Sequence, residues 1–253
     1  MFGQSVYRAG MCSVLALMFA AQPVAAQTDD TDAGVPADNG DIVVTAQKRE
    51  QSLSDVPMSI SAISGDALAS RGVTGVQDLA KFTPGLSFVD SGASTPVFSL
   101  RGVGFFDTAL AARPSVSVYV DQAPLPFSAM ATGATFDLER VEVLKGPQGT
   151  LFGQNATGGA INYIAAKPKS SFDAGGTVSY ARFATVDASG YVTGPVASNL
   201  DVRLAGRLLM GGDWQRSYTR DASHGEKFLM QGRFLADWEP ADGVKFALNI
   251  NGF

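Results

Sequence analysis

A chain of 253 residues with 45% apolar and 17% charged side chains holds enough material for one or two packed domains, which excludes disorder throughout. Its formal charge of −5, with no cluster of Lys and Arg, excludes a phosphate-binding surface, so no nucleic-acid partner is expected. The 28 glycines exceed the usual share and point to short elements, tight turns and close backbone approaches.

Residues 1–26 read as a cleaved secretory signal. Arg8 is their only charge, Met11 to Ala21 is almost wholly apolar, and Val24-Ala25-Ala26 offers small residues for cleavage. A membrane anchor needs about 18 or more apolar residues, more than this run supplies. Cys12, the sole cysteine, is not placed after the apolar run as a lipid-modified cysteine would be, and it leaves with the signal. The mature chain is then expected to carry no thiol chemistry. Residues 27–47 form a leader. Its first part holds Asp29, Asp30, Asp32 and Asp38 among small and polar residues and reads as a solvated acidic tether. Asp41, Ile42, Val43, Val44, Thr45 and Ala46 follow as a short β-prone run. Between the tether and the polar stretch from Gln47 to Ser54, this run has no obvious partner strand and is expected to stay accessible.

Residues 48–168 alternate quickly between signals. Val56, Met58, Ile60 and Ala62 recur every second residue and predict a strand; Ser64 is a helix N-cap and Gly72 a helix stop. Thr74 with Gln77 gives a capping-box pattern for a short helix ending before Pro84-Gly85. Strands are predicted at Leu86 to Val89, Val97 to Leu100, Ser115 to Val120, Val141 to Leu144 and Ala160 to Ile164. The sum is a small α+β domain with glycine-rich joints.

Residues 169–253 change texture to long two-residue alternation. Leu200, Val202, Leu204, Leu208 and Met210 oppose Asp201, Arg203 and Arg207; Phe228, Met230, Phe234 and Trp238 oppose Gln231, Arg233 and Asp237; Val244, Phe246, Leu248 and Ile250 oppose Lys245, Asn249 and Asn251. Weaker strands are expected at about Gly176 to Arg182 and Val186 to Val192. Short turns at Gly194 to Asn199 and Glu239 to Gly243 alternate with a longer loop from Gly211 to Glu226. Two-faced strands of this length joined by short and long loops in turn are expected of a transmembrane barrel, whereas a soluble sandwich uses strands of about five or six residues. About five strands follow Pro168, fewer than the roughly eight a barrel needs, so an incomplete barrel is expected. Phe253 falls on the polar face of its strand, the wrong phase for a terminal aromatic, and the reading is an interruption within a strand.

Enzymatic chemistry finds little support. His224 is the single histidine, which leaves neither a hydrolytic triad nor a multi-histidine metal site, and no catalytic residue, metal or cofactor is expected. Gly146, Gly149, Gly153, Gly158 and Gly159 lack the Lys-Ser/Thr ending of a phosphate loop and are read as loop-shaping glycines. Asn155-Ala156-Thr157 matches a glycosylation acceptor only formally.

Three stretches carry a family resemblance: D-I-V-V-T-A-Q-K-R-E over Asp41 to Glu50, S-L-R-G-V-G over Ser99 to Gly104, and L-E-R-V-E-V-L-K-G-P-Q-G-T-L-F-G-Q-N-A-T-G-G-A-I-N-Y over Leu138 to Tyr163. They resemble the TonB box and plug motifs of TonB-dependent outer-membrane receptors, strongly over about residues 41–168 and by pattern beyond. The resemblance implies an α+β plug domain followed by antiparallel β-strands of an incomplete transmembrane β-barrel, the family's barrel being 22-stranded with the plug in its lumen. It further implies that Asp41 to Ala46 bind TonB, the periplasm-spanning energy coupler, by strand addition. The remaining expected partners are the outer membrane with its barrel-assembly machinery and a small solute such as an iron chelate. Arg101 and Lys145 match basic positions that lock the plug to barrel glutamates, and Gly102 and Gly104 belong to the Arg-Gly motif. Two departures stand out: Lys145 replaces a more usual arginine and loses its two-pronged geometry, and Gln122 follows Asp121 where glycine suits a primed hairpin turn, so that hairpin is expected to be longer or strained. Two other readings are kept: a stand-alone periplasmic binding module and a non-transporting remnant of a receptor gene.

Overall fold

The computed structural model describes residues 42–73, 75–90, 96–106 and 113–252, all within one compact unit, Asp41–Phe253. The signal, the acidic tether, Asp41, Thr74 and Phe253 lie outside the described residues.

The chain opens with β1 (Val43–Val44), which pairs antiparallel with β2 (Gln51–Ser52). A 3₁₀ turn, Leu53–Asp55, follows, and β3 (Ile60–Ser64) starts four residues later than the alternation from Val56 predicts. Pro57 removes a donor in the predicted stretch, and Met58 N–H turns back to Val56 O. Ser64 then caps α1 (Gly65–Ser70), its hydroxyl accepting from Ala67 N–H, and Gly72 ends the helix at φ +65. Thr74 of the capping-box pattern lies outside the described residues. The structure begins the next turn at Gly75, whose N–H donates to Asp78, and continues through Val76–Asp78 into α2 (Leu79–Phe82) ahead of Pro84.

The five strands predicted for the rest of this domain form as β4 (Leu86–Asp90), β5 (Pro96–Leu100), β7 (Val116–Val120), β9 (Leu138–Lys145) and β10 (Gly159–Ala165); the structure adds two short strands, β6 (Val103–Gly104) and β8 (Ala123–Pro124), and a helix, α3 (Gly149–Phe152), between β9 and β10. The central sheet runs β3-β9-β10-β7-β8, antiparallel except for β10 beside β7, and β4-β5-β6 form a separate antiparallel sheet. One face of the central sheet, carrying Val141, Val143, Ile161 and Tyr163, is covered by Leu68 of α1, Leu79 of α2 and Phe98 of β5. The other face, carrying Leu144 and Ala160, is covered by Val44, Ala46 and Phe152.

Beyond Pro168, β11 (Asp173–Ala181), β12 (Thr185–Ala197), β13 (Leu200–Gly211), β16 (Lys227–Ala241) and β17 (Val244–Gly252) form one antiparallel sheet in chain order. The longer loop holds a small hairpin of β14 (Gln215–Arg216) and β15 (Ser223–His224). The short turns are tighter than predicted, because β12 runs on to Ala197 and β16 to Ala241 through register shifts at Pro195 and Trp238. The sheet is open among the described residues. Its polarity is the reverse of a soluble domain's: Leu204, Phe228, Met230, Trp238, Phe246, Leu248 and Ile250 are exposed, while Thr193, Arg203, Gln231 and Arg233 are buried. Among the described residues no helix is long and apolar enough to cross a membrane.

Candidate functional site

The run Ile42 to Ala46 is docked on the domain, contrary to the expectation of an isolated, accessible segment. Val43 faces Ser52 and Val44 faces Gln51, and Leu53 N–H donates to Ile42 O at 2.8 Å. Val44 and Ala46 are 0% exposed and pack with Leu144, Phe152 and Ala160, whereas Val43 stays open to solvent. Between them, Thr45 N–H donates to Glu142 Oε1 at 2.8 Å, and its hydroxyl reaches both carboxylate oxygens at 3.1 and 3.2 Å. The physical reason lies in the polar stretch, which turns back through Lys48 in a left-handed conformation and supplies β2. The segment therefore finds its partner strand within ten residues.

Arg101 and Gly102 are the two turn residues between β5 and β6, both at positive φ, with Leu100 facing Val103. The exposed Arg101 side chain donates to Ser59 Oγ at 2.6 Å, while Lys145 N–H donates to Ser59 O at 2.8 Å. Burial, and then the Arg101 charge, hold the Lys145 ammonium below the usual lysine range. Among the described ion pairs neither residue meets a carboxylate, so the structure brings the two bases together without the acids the resemblance implies. Gly104 and Gly158 sit where backbone and side chains close in, Gly146 and Gly149 line the loop into α3, and Gly153 closes that helix with its N–H on Gly149 O. The tightest requirement falls on Gly159: at φ +147 an added Cβ would stand 2.2 Å from Leu144 O and 2.5 Å from Leu100 Cδ2.

A different set of residues ties the domain to the strands. Asp137, just before β9, accepts two bonds from Arg203 of β13, at 2.9 and 2.6 Å, with both side chains under a tenth exposed. Its carbonyl accepts from Arg233 of β16 at 2.5 Å and from Ala166 N–H at 3.0 Å. Arg203 lies 3.9 Å from the Tyr191 ring centroid, and Arg233 lies over Phe136. Gln231 donates to Gly133 O and Asn249 to Asp121 Oδ2. The expected lock has its bases on the plug; this clamp has its acid there. Arginines on the polar face of β13 and β16 were the available signal, but nothing in the sequence names Asp137 as their partner.

The Asp121-Gln122 hairpin is not lengthened. Val120 faces Ala123, and both turn residues take the left-handed conformation, at φ +48 and +67, without a glycine. Asp121 Oδ1 accepts from Ala165 N–H and Asn162 Oδ1 from Gln122 N–H, bonds that hold the turn in place. The assembled geometry docks the Ile42 to Ala46 run on the plug and ties the plug to the strands. No group of His, Cys, Asp and Glu among the described residues could hold a metal.

Residues 52–160 match the TonB-dependent Receptor Plug Domain. The chain is 38% identical to the pesticin receptor of Yersinia pestis over 136 residues, 53% of this chain and 20% of that protein. It is 32% identical to the iron-regulated outer membrane virulence protein of Vibrio cholerae over 210 residues, 76% of this chain and 30% of the relative. Among solved structures, the ferric yersiniabactin uptake receptor FyuA from Yersinia pestis superposes with a TM-score of 0.61 at 30% identity, covering 73% of this chain and 29% of that one. The pyoverdine outer membrane receptor FpvA from Pseudomonas aeruginosa, at 18% identity and a TM-score of 0.67, shares the fold over 83% of this chain and 29% of its own. The chain thus spans a fifth to a third of the length of these relatives. With a matched plug, the strands that follow it and outer-membrane receptors as relatives, the chain is similar to the N-terminal portion of the TonB-dependent outer-membrane receptors.

Proposed function

We propose that the protein serves TonB-dependent active uptake of a scarce solute, such as a siderophore–iron complex, across the outer membrane. The observation that carries this reading is β1, a two-residue strand set directly ahead of the matched plug and paired with a single neighbouring strand. Such a strand can leave the plug and add to a partner's sheet, where main-chain hydrogen bonds supply the grip. TonB is that partner in this reading, and Asp41 to Ala46 are the segment it takes. The named relatives, receptors for iron chelates among them, support the solute class. Arg101 and Lys145 act here as a basic pair awaiting carboxylates from outside the described strands. The outward apolar face of β11–β17 favours a membrane setting, with delivery by the barrel-assembly machinery, over a stand-alone periplasmic module. That face carries Val178, Phe228, Met230 and Phe246 in the open, a liability in water.

Replacing Val44 with proline tests the reading, because proline removes an amide donor and prevents strand addition. Crosslinking to TonB in cells is expected to disappear. Capture of the Val44→Pro chain at the level of the unsubstituted one would refute it.

A further inference from the structure

We infer that Glu142 is a positioning residue for the coupling strand: with Arg140 it forms a buried latch that holds Thr45 stowed and remains charge-paired when Thr45 leaves. The functional meaning of the latch rests on the coupling role proposed above; its existence does not.

Glu142 is 0% exposed in the middle of the central sheet, facing Ala62 on one side and Asn162 on the other. Its neighbours along β9 are Val141, Val143 and Leu144, all buried and apolar. A carboxylate at such a place is unfavourable unless every lone pair is engaged and a countercharge is close. Three groups meet that need: Thr45 N–H at 2.8 Å, the Thr45 hydroxyl, and Arg140 Nε at 2.8 Å. Arg140 is also nearly buried and makes a second ion pair with the more exposed Glu139.

Simple packing of a first strand would be served better by an apolar residue at 142. A carboxylate shared between a removable strand and a fixed arginine does something packing cannot. Withdrawal of Thr45 breaks two charge-assisted contacts, which sets a threshold, but leaves Glu142 paired with Arg140, so release does not strand a bare charge in the core. The strand is thereby held against thermal escape yet remains removable. Burial of Val44 and Ala46 on either side makes the stowed state easy to read out.

The test uses the full chain with Cys12→Ser and Ala46→Cys, which places the only thiol at a fully buried position. Maleimide labelling then reports undocking. Glu142→Gln, which keeps shape but loses charge, is expected to label at least about tenfold faster, as the loss of a charge-assisted hydrogen bond implies. Thr45→Val, which keeps the amide bond and loses the hydroxyl, is expected to fall between. Hydrogen exchange of β10 amides checks that the sheet is intact; should Glu142→Gln loosen it, Thr45→Val alone decides. Labelling within about twofold of the parent in the deciding variant would overturn the latch. TonB binding is measured separately. Faster labelling with no TonB capture by any of these chains would uphold the latch and defeat the coupling role.

Discussion

Replacing Asp137 with asparagine should loosen the seam between the plug and the strands by about 3 kcal/mol, an amount that follows from the geometry of its clamp. The carboxylate takes two bonds from Arg203, and both side chains are nearly buried, at 7% and 5% exposure. Removing one member of a buried pair costs about 3–5 kcal/mol, because the other charge is left without compensation. Two features pull the figure toward the lower end. Arg203 keeps its contact with the Tyr191 ring, worth about 1 kcal/mol, and an asparagine oxygen still accepts one bond. The backbone contributes little, since Asp137 sits at φ +51 and asparagine is among the few residues that tolerate that region. About 3 kcal/mol is roughly a hundredfold in an opening equilibrium. Hydrogen exchange reads this at Ala166, whose N–H is bonded to Asp137 O. Its protection is expected to fall about a hundredfold. Asp187→Asn, which removes an equally bidentate partner of Arg207 within the strand sheet, should leave Ala166 unaffected. Protection at Ala166 that changes by less than about threefold in Asp137→Asn would show that the clamp does not hold the seam.

Other perturbations separate packing from charge. Tyr163 is fully buried with a hydroxyl that has no hydrogen-bond partner among the described residues, so Tyr163→Phe should leave the melting temperature unchanged or raise it; a loss of more than about 1 kcal/mol would show an unseen partner. Gly159→Ala and Gly153→Ala both place a side chain at positive φ, but only the first meets backbone within 2.2 Å, and Gly153 faces open space. Thermal unfolding should show a loss of several kcal/mol at position 159 and a smaller one, about 1–3 kcal/mol, at 153, the backbone strain alone of a φ +72, ψ −153 conformation that is essentially glycine's own. The folded chain lowers the pKa of Lys145, first through burial and then through Arg101. Its proton therefore leaves the folded state before the unfolded one, and stability rises with pH from the lowered folded value up to the ordinary lysine range. Lys145→Met should flatten that alkaline rise in a series of denaturant titrations, and an unchanged slope would refute the assignment.

Much of this architecture is local and could be read residue by residue. The alternation of Phe228, Met230, Phe234 and Trp238 against Gln231 and Arg233 separates an apolar face from a polar one whatever the remainder of the chain does, because successive strand side chains point to opposite faces. Ser64 and Gly72 delimit α1 through contacts within one turn of the helix. The start of β3 is not legible from period alone, because Val56 and Met58 have the right spacing while Pro57 denies the ladder a donor. The docking of Ile42 to Ala46 is hidden for another reason: the polarity of Gln47 to Ser54 suggests a spacer, and only the left-handed turn at Lys48 reveals a return path.

Sequence by itself carried the resemblance to the plug and the pattern of two-faced strands, since the motifs from Leu138 to Tyr163 and the alternation beyond Pro168 each depend on near neighbours. Tertiary structure alone decided which charges meet. Asp137 is 66 residues from Arg203, and Thr45 is 97 residues from Glu142. A buried carboxylate gains its partner from whatever the fold brings beside it, and hydrophobic period carries no record of that choice. For the same reason Arg101 and Lys145, assigned acids by resemblance, converge on Ser59, while the clamp to the strands was made by an aspartate that no pattern had marked.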